Sequence, residues 1–213
     1  MSQLRISEIF LSLQGEARSM GLPTVFIRLT GCPLRCHYCD SQYAFSGGEK
    51  MTLNAIQQQV GQFHTKWVCV TGGEPLAQAG CEVLLSQLCD AGYQVSLETS
   101  GALDIRSVDP RVARVIDLKT PGSGEVSKNR MANLDDLRAD DQIKFVISDR
   151  NDYEWSRQQL QQHHLTERCE VLFSPVHGKQ EATQLADWIL GDRLNVRFQM
   201  QLHKLLWGDQ PGR

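Results

Sequence analysis

Apolar residues in this chain fall into short runs, separated by longer stretches that mix apolar and polar positions. The short runs are rich in Val, Ile, Leu and Phe, which favour β-strands. Most runs after the first are nearly continuous in apolar residues, as is typical of strands covered on both faces. The predicted strands are 4–10, 24–30, 67–71, 93–99, 114–119, 142–147, 170–175 and 195–201.

The stretches between these strands show helical periodicity. After Thr52, which can cap a helix, apolar residues recur every three or four positions. The predicted helices are 52–63, 76–91, 151–164 and 179–190. Alternating strands and helices predict an α/β fold with a mostly parallel sheet. The units are too few for a closed eight-unit barrel, and 120–140 is predicted to be a loop with at most one or two helical turns. We therefore expect an incomplete, trimmed β/α barrel.

Composition and charge narrow the class of protein. The chain has 213 residues, 41% of them hydrophobic, and a formal net charge of −3. Its basic residues are dispersed, so nucleic acid is not an expected partner. The N-terminus lacks the features of a signal peptide, and no apolar run approaches the roughly 18 residues of a transmembrane helix. We expect a cytoplasmic protein with a single domain, 1–213, and no membrane partner.

Polar residues gather at the C-terminal ends of the predicted strands. In parallel β/α folds these ends meet at one edge of the sheet, where ligands bind. The pattern therefore predicts a polar ligand cavity. Its residues are Arg28, Thr71 with Gly72, Gly73 and Glu74, Glu98 with Thr99 and Ser100, Asp117 with Lys119, Lys144, and Ser174.

Three of the seven cysteines, Cys32, Cys36 and Cys39, lie in one segment, TGCPLRCHYCDSQ (30–42). An odd count and irregular spacing argue against a disulfide framework, and we interpret the other four as buried structural residues. A structural zinc site needs four ligands, and His37 lies between two of the cysteines, where ligation would be strained. A four-iron cluster on three thiolates leaves one iron open to an outside ligand. The three cysteines predict a metal centre. Their number suits a four-iron cluster with one open iron better than a zinc site, which needs four ligands.

The spacing Cys-x3-Cys-x2-Cys, followed by TGGEP (71–75), resembles the radical S-adenosylmethionine (SAM) superfamily. The resemblance implies a partial barrel of that type and a [4Fe–4S] cluster whose open iron binds SAM. It also implies cleavage of SAM to a 5′-deoxyadenosyl radical that abstracts hydrogen from a substrate. The cofactors carry this chemistry, while the protein positions and shields them.

Further segments, FLSLQGEA (10–17), LETSG (97–101) and QLHKLLWG (201–208), resemble one group within that superfamily, the 7-carboxy-7-deazaguanine synthases. Those enzymes contract 6-carboxy-5,6,7,8-tetrahydropterin to 7-carboxy-7-deazaguanine with loss of ammonia, a step toward queuosine and other deazapurines. The resemblance also implies Mg²⁺ as a cofactor, an external electron donor of the flavodoxin or ferredoxin type, and a homodimer. One departure is Ala17, where the family more often has Gly; a positive φ at this position would favour glycine.

The resemblance implies a role for each matching residue. The cluster ligands are Cys32, Cys36 and Cys39, and Ser41 would bind Mg²⁺. SAM would contact Tyr38, Cys39, Asp40, Gly73, Glu74, Ser100, Asp117, Lys119, Ser174, Pro175, Val176 and His177. The substrate would contact Leu13, Gln14, Gly15, Glu16, Arg28, Thr71 and His203, with Arg28 pairing with its carboxylate. The segments 1–23 and 201–213 would thus both contribute to the substrate site.

Two other functions are compatible with the motifs. An activase that makes a glycyl radical on a partner protein would share the cysteine motif and a segment like TGGEP. The QGE segment (14–16), the arginine in an apolar strand and the QLHK segment (201–204) suit a small anionic substrate better than a peptide. A zinc-binding scaffold without catalytic activity is the alternative outside the enzymes, and metal analysis would distinguish it.

Overall fold

In the computed structural model, which describes residues 2–208, 210 and 212, nine strands form one mixed sheet. The strands are β1 (Gln3–Leu13), β2 (Pro23–Leu29), β3 (Glu49–Thr52), β4 (Trp67–Gly72), β5 (Gln94–Thr99), β6 (Ala113–Asp117), β7 (Gln142–Ile147), β8 (Glu170–Pro175) and β9 (Arg197–Phe198). Their order is β3-β1-β2-β4-β5-β6-β7-β8-β9. β1 is antiparallel to β2 and β3, while neighbouring strands from β2 to β9 are parallel. The sheet is open, which confirms the expected incomplete β/α barrel.

Helices connect the parallel strands and cover one face of the sheet. They are α1 (Leu53–Gly61), α2 (Cys81–Asp90), α3 (Arg150–His163), α4 (Leu165–Arg168) and α5 (Ala182–Gly191). A further helix, α6 (Leu202–Trp207), follows the last strand. Thr52 caps α1 as predicted, since its side chain accepts a hydrogen bond from Ala55 N at 3.2 Å. The stretch 120–140 contains only short 3-10 helices, at Pro121–Ser123, Val126–Lys128 and Met131–Asp136.

The two faces of the sheet differ in chemistry because side chains alternate along each strand. One set is apolar and packs against the helices in two buried clusters, one with α1 and α2 and the other with α3 to α5. In β2 this set is Val25, Ile27 and Leu29. The alternate residues, such as Phe26 and Arg28, line a cavity on the opposite face. The face opposite the helices therefore carries polar strand side chains such as Arg28.

Three of the four cysteines outside the loop are buried, as the sequence predicted. Cys69, Cys81 and Cys169 are buried, and Cys89 is half-buried against the core cluster of α1 and α2. No helix within the described residues has the length and apolar character needed to cross a bilayer.

Candidate functional site

A cavity of about 960 Å³ lies at the C-terminal ends of β2 and β4 to β7. Each of these strands contributes at least one side chain to its wall, and the loop after β2 contributes the three cysteines. The strand residues are Phe26 and Arg28, Thr71 and Gly72, Glu98 and Thr99, Val115 and Asp117, and Lys144 and Val146. The cavity therefore occupies the edge of the sheet where the sequence predicted a ligand site.

The cysteine loop follows β2 and is fastened to the segment after β6. His37 N donates to Ser123 O at 3.0 Å, and Arg35 N donates to Glu125 Oε1 at 2.6 Å. Opposite His37, Gly124 has a φ of 78°, and a Cβ there would lie 2.7 Å from the imidazole. The loop conformation is thus held by another loop of the same sheet edge.

The three thiols of this loop are free, half-buried and line the cavity together. Burial raises the pKa of Cys32, Cys36 and Cys39, that of Cys36 to about 11, so a metal must displace their protons when it binds. Within the described residues, no three His, Cys, Asp or Glu side chains are arranged as ligands of a single metal ion. Three free thiols on one loop, open to a cavity, fit the donor set of a four-iron cluster with one iron left for a ligand.

The TGGEP segment lies against the start of the cysteine loop. Gly73 N donates to Leu29 O at 3.0 Å, and Glu74 N donates to Gly31 O at 2.7 Å. A Cβ on Gly73 would lie 2.2 Å from Gly31 O and 3.0 Å from Cys32 Cβ. Glycine is required here because two backbone segments are in direct contact.

Replacing Gly73 by alanine is therefore expected to displace the cysteine loop. Overpacking of this kind costs about 1–3 kcal/mol, and the iron content of reconstituted protein should fall below that of wild type. Gly191→Ala is the matched control, because a Cβ there would meet nothing within 4 Å. Iron analysis and equilibrium unfolding of both variants would check this, and wild-type iron loading of Gly73→Ala would contradict it.

Glu74 is fully buried beneath the cavity wall. Its carboxylate accepts hydrogen bonds from Ser100 N at 2.7 Å, from Leu76 N at 3.0 Å, and from the hydroxyls of Thr99 and Ser100. These bonds join the end of β5 to the turn after β4. Glu74 therefore holds Gly73 and Ser100, which do line the cavity, in position.

Arg28 lies in an ion pair inside the cavity. Its Nε donates to Glu8 Oε1 at 2.7 Å, and the same oxygen accepts from the hydroxyl of Tyr43 at 2.8 Å. The guanidinium also lies 5.8 Å from the ring centroid of Phe10 and 5.7 Å from that of Tyr43. Burial alone lowers the pKa of Arg28, but the pKa is raised because Tyr43 and Glu8 favour the charged form. The ion pair uses Nε, so the two terminal nitrogens remain for a ligand anion.

Glu98 lies on the same face, and two neighbours hold its carboxylate. Thr71 Oγ1 donates to Glu98 Oε2 at 2.9 Å, and Gln14 Nε2 donates to Glu98 Oε1 at 3.2 Å. All three residues line the cavity. They form an oriented acceptor that can bind N–H groups of a ligand.

The loop after β1 confirms that Ala17 occupies a glycine-like position. Its φ is 63°, and it is buried. The side-chain amide of Gln199 accepts from Ala17 N at 2.8 Å and donates to Ala17 O at 3.1 Å. A left-handed conformation costs an L-residue about 1–2 kcal/mol. The buried amide of Gln199 stabilises the loop without glycine.

The C-terminal segment completes the cavity above this loop. Leu202 N donates to Gly15 O at 3.0 Å, and a Cβ on Gly15 would lie 2.4 Å from His203 Nδ1. Gln201 Nε2 donates to Glu16 Oε1 at 2.9 Å and to Asp40 Oδ2 at 3.3 Å. Burial lowers the pKa of His203, so its imidazole is neutral at pH 7.

Ser41 lies beside the third cysteine and also lines the cavity. Its Oγ donates to Asp40 Oδ1 at 2.9 Å. Burial alone raises the pKa of Asp40, but the bond from Ser41 and the charges of Lys144 and Lys204 lower it overall. Asp40 is therefore ionised and accepts the hydrogen bond of the Ser41 hydroxyl, so the oxygen of Ser41 can act as an acceptor or a weak metal ligand.

The cavity brings together most residues that the sequence assigned to the site. Those lining it are Cys32, Cys36, Cys39, Tyr38, Asp40, Ser41, Gly73, Ser100, Asp117, Lys119, Val176, His177, Gln14, Glu16, Arg28, Thr71 and His203. Of the described residues assigned to the site, those outside its wall are Leu13, Gly15, Glu74, Ser174 and Pro175. Gly15 is covered by His203, and Glu74 is enclosed by its hydrogen bonds. Of the predicted segments 1–23 and 201–213, Met1, Asp209, Pro211 and Arg213 lie outside the described residues.

Several cavity residues were not assigned from the sequence. Glu8 pairs directly with Arg28 in the antiparallel register of β1 and β2, and Tyr43 belongs to a 3-10 helix, Gln42–Phe45, after the cysteine loop. Glu8 and Phe10 alternate along β1, which is a signal for one shared face. The others are Ser7, Phe26, Leu34, Phe45, Val115, Val146, Gln201, Lys204, Gly208, Gln210 and Gly212.

The chain is similar to known proteins of one superfamily. A family model described as the radical SAM superfamily matches residues 26–118, which include the cysteine loop and TGGEP. A 7-carboxy-7-deazaguanine synthase from Chlorobaculum tepidum is 45% identical over 208 residues, covering 96% of this chain and 94% of that protein. Another from Koribacter versatilis is 42% identical over 219 residues, covering 96% and 97%.

Solved structures share the fold. The crystal structure of QueE from Escherichia coli has a TM-score of 0.77 at 23% identity, covering 94% of this chain and 95% of that chain. The crystal structure of SuiB from Streptococcus suis, bound to S-adenosylmethionine, has a TM-score of 0.57 at 15% identity, covering 82% of this chain and 47% of that chain. At these identities the likeness concerns the fold alone.

Proposed function

Because this chain belongs to the 7-carboxy-7-deazaguanine synthases of the radical SAM superfamily, we propose that it contracts 6-carboxy-5,6,7,8-tetrahydropterin to 7-carboxy-7-deazaguanine with loss of ammonia. One observation carries the proposal: three free thiols, a half-buried arginine and an oriented glutamate line the same cavity of about 960 Å³. This set can hold a cluster, a carboxylate and a ring with N–H donors together.

The [4Fe–4S] cluster and SAM are the cofactors of this superfamily, and Cys32, Cys36 and Cys39 would hold the cluster. When bound, the cluster and SAM supply a one-electron route to hydrogen abstraction from the substrate. The wall near the thiols, with Tyr38 and Gly73, would bind and shield SAM. The single-domain organisation is likewise proposed, since the nine strands form one sheet.

The pterin would lie against the part of the cavity wall that faces the cysteine thiols. The terminal nitrogens of Arg28 would bind the substrate carboxylate, and Glu98 would accept N–H groups of the pterin ring. The neutral imidazole of His203 and the carboxylate of Glu16 would close this side, since both line the cavity. Each role follows from the donor and acceptor character of the side chain.

We propose Ser41 as a Mg²⁺ ligand that acts together with the substrate carboxylate. Supporting this, the hydroxyl donates its hydrogen bond to Asp40 and lines the cavity, so its oxygen lone pairs are left for a ligand. A hydroxyl binds Mg²⁺ weakly unless other oxygens complete the octahedron, so the metal would bind with the substrate. An external reductant of the flavodoxin or ferredoxin type, a homodimer and a cytoplasmic location remain proposals that rest on the family resemblance.

Replacing Arg28 by alanine is expected to raise KM for the pterin about 10- to 100-fold, because a hydrogen bond to a charged group contributes about 1.5–3 kcal/mol. SAM cleavage without substrate should change little, since the thiols are untouched. Steady-state kinetics and 5′-deoxyadenosine formation without pterin would measure both.

Arg28→Lys is the control for charge, because lysine keeps the charge and loses the planar fork. It should retain part of the pterin affinity. An equal loss of pterin binding and of uncoupled SAM cleavage in Arg28→Ala would contradict the role assigned to Arg28.

An anaerobic assay tests the proposed function itself. Reconstituted protein is incubated with SAM, dithionite, Mg²⁺ and the pterin, and products are identified by mass spectrometry. Formation of 7-carboxy-7-deazaguanine that disappears without SAM would support the proposal. Formation of 5′-deoxyadenosine alone would favour the glycyl radical activase, and zinc in place of iron with neither product would favour the scaffold.

A further inference from the structure

Four charged side chains with little solvent exposure form a row across the cavity. Lys144 contacts the Glu16 carboxylate, and Lys144 Nζ lies 3.8 Å from Asp117 Oδ2. Lys119 Nζ lies 3.0 Å from the same Asp117 oxygen. The four side chains are only 11–19% exposed. Two cations and two anions thus alternate in space, with Lys144 between the carboxylates.

Strand pairing in the sheet fixes the positions of Asp117 and Lys144 within this row. Asp117 and Lys144 are paired in register on β6 and β7, and Leu118 N donates to Lys144 O at 2.9 Å. Glu16 reaches Lys144 from the loop after β1, which is five places from β7 in the strand order. The ion pair between Lys144 and Glu16 therefore links the two sides of the open sheet across the cavity.

The two carboxylates belong to different parts of the site. Glu16 accepts a hydrogen bond from Gln201 and lies on the side proposed for the pterin. Asp117 and Lys119 lie on the side proposed for SAM, and Asp117 Oδ1 is buried without a hydrogen-bond partner among the described residues. That oxygen can accept a hydrogen bond from a bound ligand. Lys144 is the group common to both sides.

Lys144 keeps its charge in this position. Burial lowers the pKa of an ammonium group, but attraction to Glu16 and Asp117 raises the pKa of Lys144 overall. Removing one partner of a buried pair leaves an uncompensated charge, which is costly. Displacement of either carboxylate therefore affects the ammonium, and through it the other carboxylate.

Resting on the proposed function, we propose that Lys144 is a positioning residue that couples the pterin side to the SAM side through Glu16 and Asp117. A ligand that fixes one carboxylate fixes Lys144 and thereby the other carboxylate. Each ligand is then expected to tighten the binding of the other by the same factor, as linkage requires.

The test measures this factor in reconstituted enzyme without reductant, so that no turnover occurs. Anaerobic calorimetry gives Kd for SAM with and without saturating pterin, and Kd for the pterin with and without SAM. We expect wild type to show a mutual enhancement of about fivefold or more, within the usual range of coupling. Lys144→Met should reduce the factor to about one, and Lys144→Arg, which keeps the charge, should restore part of it.

Two further variants separate coupling from folding. Lys66→Met changes an exposed lysine outside the cavity wall and should keep the wild-type factor. In the double variant Lys144→Met with Glu16→Gln, Asp117 keeps Lys119 and no uncompensated charge is created, so the protein should fold yet lack the enhancement.

Each alternative outcome decides a different question. The inference would be overturned if Lys144→Met or the double variant kept the wild-type enhancement factor. It would also be overturned if Lys144→Met were less stable and lost affinity for SAM and for the pterin equally, with the enhancement factor unchanged. Wild-type enzyme that binds SAM and not the pterin would overturn the proposed function, and the inference with it. Wild-type enzyme that binds both without mutual enhancement would overturn the inference alone.

Discussion

Replacing Cys36 by alanine is expected to abolish SAM cleavage while leaving the fold intact, and the same holds for Cys32 and Cys39. Two thiolates cannot hold a cluster that uses three, so the protein should lose iron and sulfide as well as 5′-deoxyadenosine formation. The three side chains are half-buried and belong to neither apolar core cluster. Truncating them should therefore cost at most about 1 kcal/mol of stability.

Cys89→Ala is the matched control for this loss. Cys89 is also a half-buried free cysteine, but it lies on α2 and packs against the core cluster of α1 and α2. Iron and sulfide analysis, product detection by mass spectrometry and thermal unfolding should show Cys89→Ala close to wild type. SAM cleavage retained by any one of the three loop variants would remove the argument for the cluster.

Replacing Glu74 by glutamine is expected to destabilise the protein by about 2–4 kcal/mol. The buried carboxylate accepts bonds from two backbone N–H groups and two hydroxyls. An amide nitrogen is a donor and cannot accept, so at least one buried donor loses its partner, at about 1–3 kcal/mol, and faces another donor. Denaturant unfolding would measure the change.

The control for this prediction is Glu49→Gln, because Glu49 is exposed on the edge strand β3. It should change the free energy of unfolding by about 0.5 kcal/mol or less. The comparison also separates two roles for Glu74. Loss of stability together with SAM affinity would support a structural role, whereas weaker SAM binding at unchanged stability would support the direct contact expected from the sequence.

The apolar pattern predicted much of the fold because most strands are buried on both faces. β7 and β8 coincide with the predicted ranges 142–147 and 170–175. β3 was not predicted, since EKMT has no strand pattern of its own and depends on pairing with β1. α2 was predicted too early because Pro75–Ala77 forms a separate 3-10 helix.

The C-terminal strand and helix were also not predicted correctly from the sequence pattern. The predicted strand 195–201 is reduced to Arg197–Phe198, and the helix α6 that follows was not predicted. Leu205 and Leu206 on α6 are more than half exposed, so the helix has no apolar face packed on a core that a sequence pattern could indicate. Contacts with distant loops, such as the bond from Leu202 to Gly15, contribute to its position.

The motifs predicted the cysteine loop and the neighbouring glycines because those residues are adjacent in sequence. The partners of Arg28 could not be predicted in the same way. Glu8 reaches it through the antiparallel pairing of β1 and β2, and Tyr43 through the short helix after the cysteine loop. Contacts of this kind depend on the register in which two strands pair, which neither strand segment shows when it is read alone.

The two hydrogen bonds between the side-chain amide of Gln199 and the backbone of Ala17 have a consequence for the order in which the site forms. The two residues are 182 positions apart, so at about 5–20 residues per second the ribosome adds Gln199 roughly 10–40 s after Ala17. During most of that interval the cysteine motif has already been synthesised, but the loop that carries Glu16 lacks its hydrogen bonds to Gln199. The part of the pocket that this loop forms is therefore completed late in biosynthesis.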